Sequence, residues 1–90
     1  MTETKTVLWR VFTWSEQWGQ WECRTPRGTV ALVDRGRDYG PDAMRYAAGL
    51  ERQFGSDVYS IATGYGPTEA DAILALQSTL RKMAELEVVG

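Results

Sequence analysis

Short runs of β-branched and aromatic residues dominate the first third of the chain, and apolar positions at helical spacing appear only later. Residues 6–14, Thr-Val-Leu-Trp-Arg-Val-Phe-Thr-Trp, have the composition of a strand. Alternation places Val7, Trp9, Val11 and Thr13 on one side and Leu8, Arg10, Phe12 and Trp14 on the other. Both sides are largely apolar, which predicts a central strand covered on two faces. Residues 15–19 form a turn. Gln20 to Thr25 make a second strand with Trp21 and Cys23 inward and Glu22 and Arg24 outward. Pro26-Arg27-Gly28 is a turn signal, and Thr29 to Val33 a third strand.

The later pattern changes period. After the charged stretch 34–40, Pro41 and Asp42 suit a helix start. Ala43, Tyr46, Ala47, Leu50 and Phe54 then share a helical face, with Gly55 as the stop. Asp57 to Ala62 reads as a short fourth strand, broken by Gly64-Tyr65-Gly66-Pro67. Thr68-Glu69-Ala70-Asp71 is a capping-box signature. The helix after it runs to about Leu86, burying Ile73, Leu76, Leu80 and Met83 beside Ala72 and Leu86, with Leu74 outward. Val88-Val89-Gly90 reads as a frayed tail.

The resulting order is β-β-β-α-β-α. A helical crossover between the third and fourth strands would bring the fourth beside the first, parallel to it. This predicts a single α+β domain over residues 1–90, with a mixed four-stranded sheet in order 3-2-1-4 and two helices on one face. The uncovered face must then meet solvent, a second copy or a partner.

Composition narrows the chemistry. The chain has 90 residues, a net charge of −2 and no histidine. A histidine acid/base, a Ser-His or Cys-His nucleophile and a zinc site with histidine ligands are excluded. A lone cysteine, Cys23, forms no intrachain disulfide and fits a reducing compartment. Residues 1–6 are polar, so no apolar leader is expected, and no run approaches the roughly 20 apolar residues that span a bilayer. A cytoplasmic protein is expected, in the host cytoplasm if it is phage-encoded. No metal, cofactor or catalytic residue is expected.

Four tryptophans, Trp9, Trp14, Trp18 and Trp21, crowd the first hairpin. A core this small does not readily bury four indoles and their N–H donors, so a partner surface is expected, with Trp14 and Trp18 the most exposed. Arg24, Arg27, Arg35 and Arg37 fall on the second strand and the two following loops. They could meet at one end of the sheet and grip carboxylates or phosphates. Solvated loop charge is the plain alternative for the arginines.

Residues 62–73, Ala-Thr-Gly-Tyr-Gly-Pro-Thr-Glu-Ala-Asp-Ala-Ile, resemble the strand, glycine turn and Thr-capped helix of HicB-type antitoxins. The same stretch resembles the end of double-stranded-RNA-binding domains, but Glu69 and Asp71 stand where that family places phosphate-holding lysines. The element order resembles the first part of the ribonuclease H fold, whose first-strand carboxylate has no counterpart here. The reading that follows is a non-catalytic protein-binding module, of the kind phages and mobile elements use to block a host complex. The partner is another protein, with a homodimer through the open sheet face as a further possibility. A nucleic-acid-associated regulator of antitoxin type is the alternative, and a small enzyme comes third. No membrane association is expected.

Overall fold

The computed structural model describes residues 3–36 and 40–89, with 85–89 by backbone alone. Six strands, β1 (Thr4–Val7), β2 (Arg10–Ser15), β3 (Gln20–Thr25), β4 (Gly28–Asp34), β5 (Tyr46–Phe54) and β6 (Asp57–Gly66), precede one helix, α1 (Glu69–Val89). The strands form one antiparallel sheet in chain order, β1-β2-β3-β4-β5-β6. The expected four-stranded 3-2-1-4 sheet with a parallel pair and two helices is therefore overturned. Two local events account for the difference.

The first is a break in residues 6–14. Val7 pairs with Arg10, so Leu8 and Trp9 are the tip of a two-residue hairpin. The stretch is an edge strand plus its neighbour, not one central strand. Leu8 sits at φ +59°, in a left-handed conformation that composition does not announce, because glycine normally supplies it. Short β1, with Thr4, Lys5 and Thr6, is polar enough to serve as an edge. Leu8→Gly should relieve the left-handed cost and raise stability by about 1 kcal/mol, read as an upward shift in the urea midpoint.

The second is residues 41–54. Pro41 and Asp42 nucleate only one 3-10 turn, Asp42–Met44, closed by the Met44 amide donating to the Pro41 carbonyl at 2.9 Å. Tyr46–Phe54 then pairs with both β4 and β6. Ala48 and Leu50 are buried on either side of Gly49, a period of two, and Tyr46 and Leu50, four apart, fit both that period and a helical face. As a strand the segment covers the edge of β4, whose Val30, Ala31 and Leu32 are all buried. A helix here would leave that apolar edge unpaired.

β6 continues through Gly64 and Gly66 rather than breaking there. These glycines serve packing. A Cβ on Gly64 would lie 2.2 Å from the Leu76 amide nitrogen, and one on Gly66 2.6 Å from that of Ala72. Helix backbone and strand backbone thus touch directly. Pro67 and Thr68 make the turn, and the Asp71 amide donates to Thr68 Oγ1 at 3.1 Å. Asp71 accepts from the Thr68 hydroxyl at 2.9 Å, so its reach back ends on that side chain. The helix continues to Val89, through residues expected to fray. Ala72, Ile73 and Leu76 are buried, Leu80 and Met83 pack against them, and Leu74 points outward as the spacing predicts. The expected burial of Leu86 lies outside the described side chains.

A flat six-stranded sheet spans about 24 Å, whereas a helix with its side chains is about 10–12 Å across. One helix cannot cover such a sheet unless the sheet coils. α1 lies chiefly over β6 and β5 and barely reaches β4. Yet Phe12 on β2 is fully buried, in one cluster with Leu32, Leu50, Ile73 and Leu76. At the edge, Lys5 forms an ion pair with Glu69 in the first turn of α1 and places its ammonium 4.4 Å from the Trp21 ring centroid. Both sides of the sheet therefore close on the N-terminal half of the helix. The outer face carries mainly small and polar side chains, including Thr13, Glu22, Arg24, Thr29 and Thr63, which alternate with the inward set.

Candidate functional site

The meander sets the two ends of the sheet apart. The turns at 8–9, 26–27 and 55–56 lie at one end, together with the C-terminal half of α1. The 16–19 turn, the 35–45 connection and the start of α1 lie at the other.

This geometry separates the tryptophans. Trp14 and Trp21 are directly paired across β2 and β3 and meet edge to face, with centroids 5.2 Å apart at 65°. Both are half-buried on the inner face, and Trp21 packs against the core. Trp14 is thus a packing residue, contrary to its expected exposure. Trp9 and Trp18 are the exposed indoles, at 71% and 62%. They sit at opposite ends of β2, so the four rings do not form one patch.

The arginines separate as well. Arg24 lies on the outer face, across from Thr29. Arg27 is at the tip of the β3–β4 turn. Arg35 is at the far end, with its guanidinium 5.0 Å from the Tyr65 ring centroid and donating to the Met44 carbonyl at 3.5 Å. Nearby, Arg45 donates to both carboxylate oxygens of Asp34 at 3.3 Å. That bond, aided by the Gly36 amide, holds the Asp34 carboxyl below its ordinary range and raises Arg45. This cluster ties together the base of the 35–45 connection. Arg37 lies outside the described residues.

At the first end a different group converges. Beside Gln77, Leu80, Arg81 and Ala84 of α1, a wedge of about 670 Å³ lies between helix and strands. Its floor is Val30, Leu50 and Leu80, and its rim is Arg10, Arg27 and Arg81. A smaller adjoining space of about 170 Å³ adds Arg52, Ile61 and Met83. The wedge falls within the roughly 300–1,000 Å³ of ordinary ligand sites, with the apolar walls and few polar groups typical of them. The described ion pairs are Lys5–Glu69 and Arg45–Asp34; among the described residues none of the rim arginines meets a carboxylate.

Local structure holds the rim in place. Thr25 Oγ1 donates to the Gly28 carbonyl at 2.9 Å and accepts from the Arg27 amide at 3.2 Å, which shapes the turn. Gly28, at φ +143°, lets β4 approach β5 so closely that a Cβ would fall 2.4 Å from the Glu51 carbonyl oxygen. Arg52 Nε donates to the Arg27 carbonyl at 2.6 Å, fastening the turn to β5. A bulge at Leu50/Glu51, where Ala62 and Ser60 are the successive partners, leaves Ile61 as the extra residue against the core.

The outer face holds a second, smaller cleft of about 290 Å³ beside Trp18. There the Gln20 amide donates to Glu22 at 2.9 Å and to Glu51 at 3.3 Å, and Arg24 and Arg52 also line it. Its charges are of both signs, with Gln20 bridging Glu22 and Glu51, whereas the described lining of the wedge carries one sign of charge over an apolar floor. The wedge is the better candidate.

Among the described residues no group of three His, Cys, Asp or Glu side chains converges as a metal site, and no helix is long and apolar enough to cross a membrane. No protein-family model, curated protein or solved structure matches the chain.

Sequence reasoning named Arg27 and Trp9 but missed Arg10, Arg52 and Arg81. Arg10 did carry a signal, as a lone charge in an otherwise apolar strand. Arg52 falls on the outward face of the helix expected after Pro41, nothing local marks Arg81, and only the return of α1 over the sheet brings them to the same end.

Proposed function

We propose that the chain is a non-catalytic protein-binding module whose docking surface is the wedge end of the sheet. The observation that carries this reading is the arginine-rimmed apolar wedge. Its rim presents Arg10, Arg27 and Arg81 without a described carboxylate partner, over a floor of the buried Val30 and Leu50 and the half-buried Leu80. Trp9, next to Arg10 at the same end, adds a protruding indole. Indole and guanidinium groups around an apolar depression are the usual makings of an interface hot spot. The activity is occupancy: the module masks the surface it binds. We place it in the cytoplasm, where the half-buried free thiol of Cys23 stays reduced.

The test is affinity capture from the source cell with three baits: the wild-type chain, Trp9→Ala and Trp18→Ala. Trp9→Ala should lose the captured protein, at a cost of about 2–4 kcal/mol in binding, and keep its melting temperature because the ring is solvent-exposed. Trp18→Ala, at the opposite end, should capture as well as wild type. If Trp18→Ala alone loses the partner, the docking surface is the other end. If both variants retain it, neither hairpin tip is an anchor and the reading fails.

A further inference from the structure

The chemistry of the wedge specifies more than its use. Building on the docking reading above, we infer that its occupant is an acidic amphipathic segment of the partner. One or two apolar side chains of that segment rest on Val30, Leu50 and Leu80, and flanking carboxylates pair with Arg10, Arg27 and Arg81.

Charge complementarity is the first argument. The rim is cationic, and among the described residues neither Asp nor Glu lines the wedge or its adjoining space. The cations are all arginine, whose planar fork matches a carboxylate with two parallel hydrogen bonds.

The apolar floor is the second argument, and it separates classes of ligand. A nucleic-acid backbone presents phosphates to an exposed basic stripe and has nothing to seat on Val30, Leu50 and Leu80. A peptide carries both kinds of group at the required spacing. On a helix, residues four apart stand about 5–6 Å from each other on one face, so a leucine and its neighbouring glutamates reach floor and rim together. A small lipophilic anion would ordinarily be enclosed over 70–90% of its surface, whereas this wedge is open to solvent. The held geometry is the third argument. Gly28 and Arg52 fasten the turn that carries Arg27, so part of the rim is set before binding and less ordering entropy is lost.

Three labelled amphipathic peptides provide the probe: one of glutamate and leucine, one of lysine and leucine, and one of glutamate and serine. Fluorescence anisotropy gives the affinities, and amide chemical shifts locate the contact. The Glu/Leu peptide should bind and shift the amides of Val30, Leu50, Leu80 and Ala84. The other two should bind at least about tenfold more weakly, and so should the Glu/Leu peptide to an Arg10→Glu/Arg81→Glu variant. Arg10→Gln/Arg81→Gln gives the same comparison if charge reversal disturbs the fold, which circular dichroism checks.

Several results overturn the inference. They are no binding, equal binding of the Glu/Leu and Lys/Leu peptides, indifference to both arginine variants, and shifts confined to the outer face. Displacement of the peptide by dodecanoate at equal concentration would assign the wedge to a small amphiphile. Concentration-dependent self-association abolished by the same variants would assign it to a second copy. If the peptides fail while capture still depends on Trp9, the partner class is wrong and the docking end stands. If capture is also indifferent to Trp9, the docking reading has failed with it.

Discussion

Gly64→Ala should destabilise the fold by about 3 kcal/mol, although it adds a single methyl group. The new Cβ would lie 2.2 Å from the Leu76 amide nitrogen and 2.7 Å from the Ala72 carbonyl oxygen. Both are helix backbone, so no side-chain rotation makes room. The helix must move off β6, and Ala72, Ile73 and Leu76, all buried against the sheet, move with it. For a domain whose total stability is on the order of 5–15 kcal/mol, this is a large fraction. Gly49→Ala is the control, because its Cβ would meet nothing nearer than 3.7 Å. Urea unfolding of the two variants should show a large drop in midpoint for the first and a small change for the second. Similar midpoints would mean that α1 does not lie against β6 as closely as described.

The same glycine shows where sequence reasoning stops. Gly64 and Gly66 before Pro67 have the composition of a turn, and a turn is the ordinary reading. Their role depends on a helix that arrives later in the chain, which local pattern does not contain. Legible parts were those whose partners are near in sequence. Gln20–Thr25 with Trp21 and Cys23 inward, the Pro26-Arg27 turn, the Thr68 cap and the Ile73/Leu76 stripe all follow from neighbours a few residues away. Ala43, Tyr46, Ala47, Leu50 and Phe54 fit one helical face, so local pattern alone predicts a helix from Pro41 to Phe54. The strand state of 46–54 is decided by the unmet edge of β4, a non-local demand. Gly49 in the middle of that stretch was the available warning.

The candidate site follows the same division. An unusual density of indoles marked the first hairpin as a place of interest, and Trp9 is exposed there. The pairing of Trp14 with Trp21 depends on register, which composition does not specify. The arginines were grouped by proximity along the chain, yet the wedge gathers Arg10, Arg27 and Arg81 from three distant elements and leaves Arg35 at the far end.

The curl of the sheet that creates the wedge is itself testable through Phe12. In a flat sheet Phe12 on β2 would stand three strands, about 14 Å, from β5, beyond the cover of a helix seated over β5 and β6. Its truncation would then resemble a surface change, of about 0.5 kcal/mol. In the coiled sheet Phe12 is fully buried among Leu32, Leu50, Ile73 and Leu76. Phe12→Ala should then leave a void under the helix and cost about 3–5 kcal/mol, among the largest losses in the molecule. Val11→Ala, on the same strand but 57% exposed on the outer face, should cost little. Denaturant melts of the pair compare one position with the next along β2, where alternation alone separates core from solvent. A loss of several kcal/mol at Phe12 with little change at Val11 requires β2 to fold back toward α1.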